Sequence, residues 1–339
     1  MDKVKITKDL FVFSPPDTSL QEKIERESLT FWQDATRRLM ENQIAVISLF
    51  VISLIAILAI VGPYMNEYKY DQQLEPLRQH VKLPPRVPVL EKIGIMDGTN
   101  KKGENVYLKR GLENEYYWFG TDDLGRDLWT RVWEGVRVSL YIGLLAAFIN
   151  LVIGVTYGGI SGYYGGKVDI IMMRITEIIG GIPTLVVLIL FLLVFKPGIF
   201  TMSMALVLTY WIGMARVTRG QVLKLKNQEF ILASRTLGAS SAQLIFKHMI
   251  PNIMPTIIIV ITFSIPSAIF YEAFLAFIGL GLPAPHASLG VLINDGYKFL
   301  KTYPYMMFIP AIVLSILMLC LNLFANGLRD AVDPKMRGQ

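Results

Sequence analysis

Long apolar runs free of charge alternate along this chain with short charged stretches. Residues 44–63 read IAVISLFVISLIAILAIVGP, and further runs without Asp, Glu, Lys or Arg cover 138–166, 178–195, 197–215, 248–271 and 302–328. A helix needs ~20 apolar residues to cross ~30 Å of hydrocarbon, so each run predicts a membrane-spanning helix. The fold class is therefore all-α integral membrane, with six transmembrane helices. A seventh charge-free stretch, 273–294, contains GLGLPAPHAS at 279–288. Those glycines and prolines cannot continue a helix, so this segment reads as a helix end followed by a re-entrant or surface loop. The first run is too long for a signal peptide and has 43 mostly polar residues ahead of it, so it is expected to stay in the mature protein.

The runs divide the chain into a cytoplasmic N-terminal segment (1–43), a first transmembrane helix (44–63) and an extracytoplasmic loop or cap (64–136). A five-helix core (137–328) with a cytoplasmic connector at 216–252 follows, then a cytoplasmic tail (329–339). Orientation rests on Lys and Arg: with both termini inside, the inner segments hold 18 and the two short outer loops hold 3. A helical stretch at about 20–41 places Phe31, Trp32 and Leu39 roughly along one side. It reads either as a helix lying on the inner membrane surface or as a solvated helix with a Trp anchor.

Composition agrees with a membrane protein. The chain is 53% hydrophobic and 18% charged, with a mean hydropathy of +0.45. That excludes a soluble enzyme of this length. A single cysteine, Cys320, excludes a disulfide framework, and His80, His248 and His286 are too far apart to suggest a metal cluster. The net charge of +6 marks orientation and a docking surface rather than a nucleic-acid partner. No residue is a catalytic, cofactor-binding or metal-ligating candidate.

The most informative segment is KNQEFILASRTLGASSAQLIFKHMIPN, 226–252. Residues 228–237 predict a short helix stopped by Gly238 in a left-handed conformation. Ser240 and Gln243 then predict a capping box that starts a second helix, and Pro251 and Pro255 mark the entry to the fifth span. Phe230, Ile231, Leu232 and Leu237 project from an otherwise basic loop. Such order and apolar surface suit a protein partner; an amphipathic connector lying on the bilayer is the alternative.

This segment resembles the cytoplasmic motif of permease subunits of ATP-binding-cassette importers: EAA, three residues, Gly, nine residues, then Ile-x-Leu-Pro. Leu232, Ala233 and Ser234 stand in the EAA places, Gly238 fits the Gly, and His248, Ile250 and Pro251 fit the ending. The opening Glu is missing, and Glu229 lies nearby but out of register. LGAS (237–240) and HMIPN (248–252) look like the peptide-importer branch. FGTDDLGRDLWTRVWEGVRVSLYIG (119–143) and NLFANGLRDAVDPKMRG (322–338) are similar to the C-type permease of oligopeptide and dipeptide importers, the long 64–114 insertion looking like the Gram-positive oligopeptide type.

The resemblance implies a type I importer permease fold in the bacterial cytoplasmic membrane, and no enzyme activity in this chain. It implies a second homologous permease, two ATPase subunits that hydrolyse ATP with Mg, an extracytoplasmic peptide-binding lipoprotein, and peptide cargo passing between the permeases. It assigns ATPase coupling to Glu229, Ala233, Ser234, Arg235, Gly238, Ala239, Ser240, His248 and Pro251. Dipeptides, nickel or glutathione are alternative cargoes on the same architecture. Rival classes are an ion-coupled secondary transporter, disfavoured by few intramembrane ionisable residues, and a membrane anchor or sensor without transport.

Four further features carry expectations. Asp122, Asp123, Arg126 and Asp127 have the spacing of a salt-bridged turn before the second span, and on the outer face they are candidates for contact with the binding protein; their spacing gives no full calcium cage. Gly154, Gly158, Gly162 and Gly166 form a small-residue stripe, for internal packing or for a subunit interface. The GGISGYYGGKV end of that run is no phosphate loop, because Ser161 and Val168 break the pattern. Glu272, at membrane depth, either borders the substrate path or pairs with an N–H at the GLGLP turn. Asn150, Asn322 and Asn326 are expected to bond neighbouring helices, and Pro183 and Pro266 to kink spans three and five.

Overall fold

A computed structural model describes residues 30–100, 103–196 and 198–333. Among the described residues, five helices are long and apolar enough to cross a membrane: Gln43–Tyr64, Leu128–Tyr164, Ile199–Leu225, Ser241–Leu280 and Tyr305–Val332. A sixth crossing is the bent pair Gly166–Gly180 and Thr184–Val194, which turns by 70°. In chain order these are spans one to six, the bent pair being the third. Pro183 sits at the bend, as the sequence predicts. Span five runs as helix through Pro255 and Pro266.

The helices overshoot the charge-free runs. Span two starts at Leu128, inside the segment assigned to the cap, because Asp127 caps it by accepting from the Thr130 N–H at 2.9 Å. Its early arginines are accommodated: Arg131 is 1% exposed, and Arg137 donates to the Ala59 carbonyl at 3.2 Å. Span five likewise extends past Lys247 and Glu272. Charge marks where a run stops being purely apolar, not where the helix stops.

Ahead of span one, the helix Phe31–Glu41 opens with a capping box, Thr30 with Gln33, and Asn42 separates it from the span while capping Ala45. The helix buries Ala35 and packs against span six. The rest of the N-terminal segment and the end of the tail lie outside the described residues.

Residues 64–127 form a compact cap at one end of the bundle. Its core is Leu74, Leu83, Tyr107, Leu112 and Tyr117. Arg86 stacks over Tyr107 and Tyr116, pairs with Glu91 at 2.9 Å and donates to the Glu113 carbonyl at 2.7 Å. Tyr107 donates to the Pro84 carbonyl at 2.8 Å, and burial pushes its phenol pKa up. Thr121 ties the cap together: it accepts from the Leu83 N–H at 2.8 Å and donates to the His80 carbonyl, while its own carbonyl accepts from Tyr305 of span six at 2.9 Å.

The glycine stripe packs internally. Added Cβ atoms at Gly154, Gly158 and Gly162 would run into Met214, the Ala215 carbonyl and the Arg219 carbonyl of span four. Gly166 departs from the stripe: it has a φ of +54°, nothing lies beside it, and it opens the next helix. The asparagine expectation is corrected as well. Asn150 and Asn322 donate to Ala146 and Met318, each in its own helix rather than a neighbour.

Candidate functional site

The connector between spans four and five lies at the end of the bundle opposite the cap. Its first helix is Glu229–Thr236. It ends as the sequence predicts: Gly238 has a φ of +88°, its N–H bonds the Arg235 carbonyl at 3.0 Å, and the Ala239 N–H bonds the Ser234 carbonyl at 3.1 Å. That is the Schellman arrangement, which uses carbonyls a helix end leaves free. Two residues later the capping box forms, with Ser240 N–H to Gln243 Oε1 at 2.8 Å and Gln243 N–H to Ser240 Oγ at 3.3 Å.

The next helix does not wait for the prolines. It starts at Ser241, passes through a widened π turn at Leu244–Met249 and continues into span five. His248 lies in that turn, half-buried, and its carbonyl accepts from Asn252 at 2.6 Å. Pro251 is exposed just beyond it.

One expectation changes here. Ile231 does not project; it is 2% exposed and packs with Val155, Met214, Val222, Leu244 and Met249. It seats the short helix in a core cluster that spans two, four and five share, with the helix itself lying against the start of span five. Phe230, Leu232 and Leu237 do project, Leu237 being 89% exposed, and Phe246 joins them. Glu229, Ala233, Arg235, Gly238 and Ser240 share this exposed surface, while Ser234 and Ala239 are half-buried. The arrangement is a rigid two-helix corner with apolar side chains on its open face.

Sequence reasoning missed the group that braces this end. Asp169 accepts from Ser161 Oγ at 2.6 Å and from both Nε and Nη2 of Arg219, the latter at 2.6 Å. One carboxylate thus joins spans two, three and four. In the sequence Arg219 reads as an orientation charge; the signal for its role is its place on the helix face that meets the glycine stripe. Asp169→Ala is expected to cost about 2–3 kcal/mol, below the fully buried case because Arg219 partly reaches solvent. In detergent melts, the Asp169→Ala/Arg219→Ala pair should cost clearly less than the sum of the singles.

At the cap end, the turn closes as expected but faces inward. Arg126 Nε donates to Asp122 Oδ2 at 2.7 Å, and Asp122 Oδ1 accepts from the N–H groups of Leu124 and Arg126. Asp122, Arg126 and Asp127 are buried, which corrects their reading as an exposed contact patch; Asp123 alone keeps surface. Burial pushes the carboxyl pKa of Asp127 up, against hydrogen bonds from Thr130 and Asn66. Glu272 is 3% exposed, and its Oε2 accepts from Ser139 Oγ of span two at 3.2 Å rather than from an N–H at the GLGLP turn. It borders a small apolar cavity with Ile142, Leu206 and Tyr271.

A multi-pass helical bundle with a cap at one end and an ordered connector corner at the other is the architecture of a membrane permease. The family model for binding-protein-dependent transport system inner membrane components matches residues 154–338, and the model for the N-terminal TM domain of oligopeptide transport permease C matches 30–85. The chain belongs to this family of binding-protein-dependent transport system inner membrane components. It is 42% identical to the oligopeptide transport system permease protein OppC of Bacillus subtilis, over 98% of this chain and 99% of that one. It is 40% identical to the dipeptide transport system permease protein DppC of the same organism, over 98% and 95%. The OppC of Escherichia coli is 36% identical over 94% and 96%. A chain of the inward-facing MetNI methionine ABC transporter matches with a TM-score of 0.49 at 21% identity, over 60% of this chain and 96% of that one.

Proposed function

We propose that this chain is the C-type permease subunit of an ATP-driven importer of short peptides, oligopeptides first. It pairs with a second, homologous permease, and the cargo path lies between them. Two ATPase subunits bind and hydrolyse ATP with Mg; this chain holds neither. An extracytoplasmic lipoprotein delivers peptide to the cap end, which faces outward, with both termini in the cytoplasm. Glu229, Ala233, Ser234, Arg235, Gly238, Ala239, Ser240, His248 and Pro251 form the coupling surface for one ATPase.

The single observation that carries this reading is the connector corner. Ile231 is buried in the core cluster that spans two, four and five share, while Phe230, Leu232 and Leu237 stay exposed on the same short segment. A partner that grips such an element moves the spans behind it. It drives transport only if it interacts differently with the two membrane states, since equal affinity shifts nothing.

The test is co-purification. The tagged chain, expressed with its neighbouring subunits, is expected to retain two ATPase subunits through affinity and size-exclusion steps. A chain that inserts and assembles with its partner permease yet retains no ATPase refutes the proposal.

A further inference from the structure

A cavity of about 300 Å³ opens at the cap end. It lies between the start of span two, the end of span five and the short helix Leu289–Tyr297 that follows the GLGLP turn. Two arginines line it, Arg126 and Arg131, with side chains 6% and 1% exposed. Buried guanidinium groups ordinarily have every donor engaged. These do not. Among the described residues, the Arg126 guanidinium donates through Nε only, to Asp122. Arg131 donates through Nη1 only, to the Tyr70 and Pro285 carbonyls at 3.0 and 3.3 Å. Its Nε lies 3.3 Å from Asp122 Oδ2, near enough for charge attraction but not aligned to donate.

Two guanidinium groups line the cavity against one lining carboxylate, with Asp122 and Asp123 close to the arginines. Asp122, the carboxylate shared by both arginines, is not part of the lining. The lining carboxylate, Asp295, is paired with Lys298 at 3.2 Å. The rest of the wall combines small and apolar residues, Ala276, Leu282 and Val291 among them, with His286 and Asn294. A few fixed polar donors above an apolar pocket is the design of a small-molecule subsite. The free donors are forked and cationic, which selects a carboxylate.

We infer that this cavity is a carboxylate-binding subsite at the outer mouth of the permease. Arg126 and Arg131 hold a carboxylate of the incoming peptide, and the apolar wall takes the side chain next to it. The inference rests on the proposed peptide cargo and adds where in this chain the cargo is first held.

The experiment uses the complete complex of permeases and ATPases in phosphatidylcholine nanodiscs without the binding protein. Equilibrium dialysis measures radiolabelled tri-alanine, its C-terminal amide and the amide of Ala-Glu-Ala. Tri-alanine is expected to bind about tenfold or more tightly than its amide, the difference one charge-assisted pair makes. Arg126→Gln should bring that ratio close to one. His286→Glu, at an exposed position on the cavity wall, should do the same by supplying an internal carboxylate, and it decides the matter if Arg126→Gln fails to assemble. Ala-Glu-Ala amide separates the source: binding like tri-alanine assigns the site to any cargo carboxylate, binding like the tri-alanine amide to the C-terminus. Equal binding of tri-alanine and its amide by the unaltered complex, or a ratio that survives His286→Glu, overturns the inference. A complex that imports peptide yet fails this test loses the subsite and keeps the proposed function.

Discussion

Replacing Gly158 with alanine is expected to lower the melting temperature of the detergent-solubilised chain by roughly 3–5 °C, the range that an overpacking cost of about 2–3 kcal/mol implies for a chain of this length. The added Cβ would overlap the Ala215 carbonyl oxygen and sit 2.8 Å from Thr218 Cβ. A backbone carbonyl in mid-helix has no rotamer through which to retreat, so spans two and four must separate. Separation also loosens the neighbouring contacts of Gly154 and Gly162, and with them the reach of Arg219 to Asp169. The controls lie on the same helix pair. At Gly213 and Gly220 of span four, an added Cβ would meet nothing within 4 Å. Alanine there should be silent, or stabilising by about 0.5–1 kcal/mol through helix propensity. Equal melting of the Gly158 and Gly213 variants would show that the stripe does not set the packing distance.

The same comparison explains what could be read from the sequence. Six crossings and their order were legible because bilayer thickness forces long apolar runs. Helix ends were less so, since Arg131, Arg137, Lys247 and Glu272 lie within helices that a count of charge-free residues stops short of. Arg131 and Arg137 reach backbone carbonyls, Glu272 accepts from Ser139 and Lys247 stays at the surface, which are tertiary facts. The connector was legible almost residue by residue, because caps are local: Gly238, Ser240 and Gln243 act within one turn of themselves. Ile231 was not, because four adjacent apolar residues on a short helix do not say which one finds a core. The turn at Asp122–Asp127 shows the same limit. Its internal pairing followed from spacing, but its inward orientation depends on span five and the segment after it.

On the coupling role proposed for the corner, Gly238→Val is expected to reduce ATP-driven peptide uptake in proteoliposomes by about tenfold or more, with insertion and assembly of the chain preserved. The reason is backbone conformation and not crowding. Nothing lies within 4 Å of a Cβ built at Gly238, yet its φ is +88°. Holding an L-residue there costs roughly 1–2 kcal/mol, and more for a β-branched one. The first helix of the corner sits at the surface and buries Ile231 alone, so the chain escapes that strain by unwinding the last turn of Glu229–Thr236. The Schellman bonds and the position of Leu237 go with it. A cost of about 1.4 kcal/mol already depletes the docking geometry tenfold, and a partner that meets it rarely couples its own closure rarely. Gly238→Asn supplies the control, since asparagine tolerates the left-handed region and adds comparable bulk. Uptake by the Asn variant should stay within about twofold of the unaltered complex. If the Val variant transports normally, Gly238 has no coupling role. If Asn fails as badly as Val, the glycine is needed for close approach of the partner, and the rigidity of the corner is not what transmits the ATPase stroke.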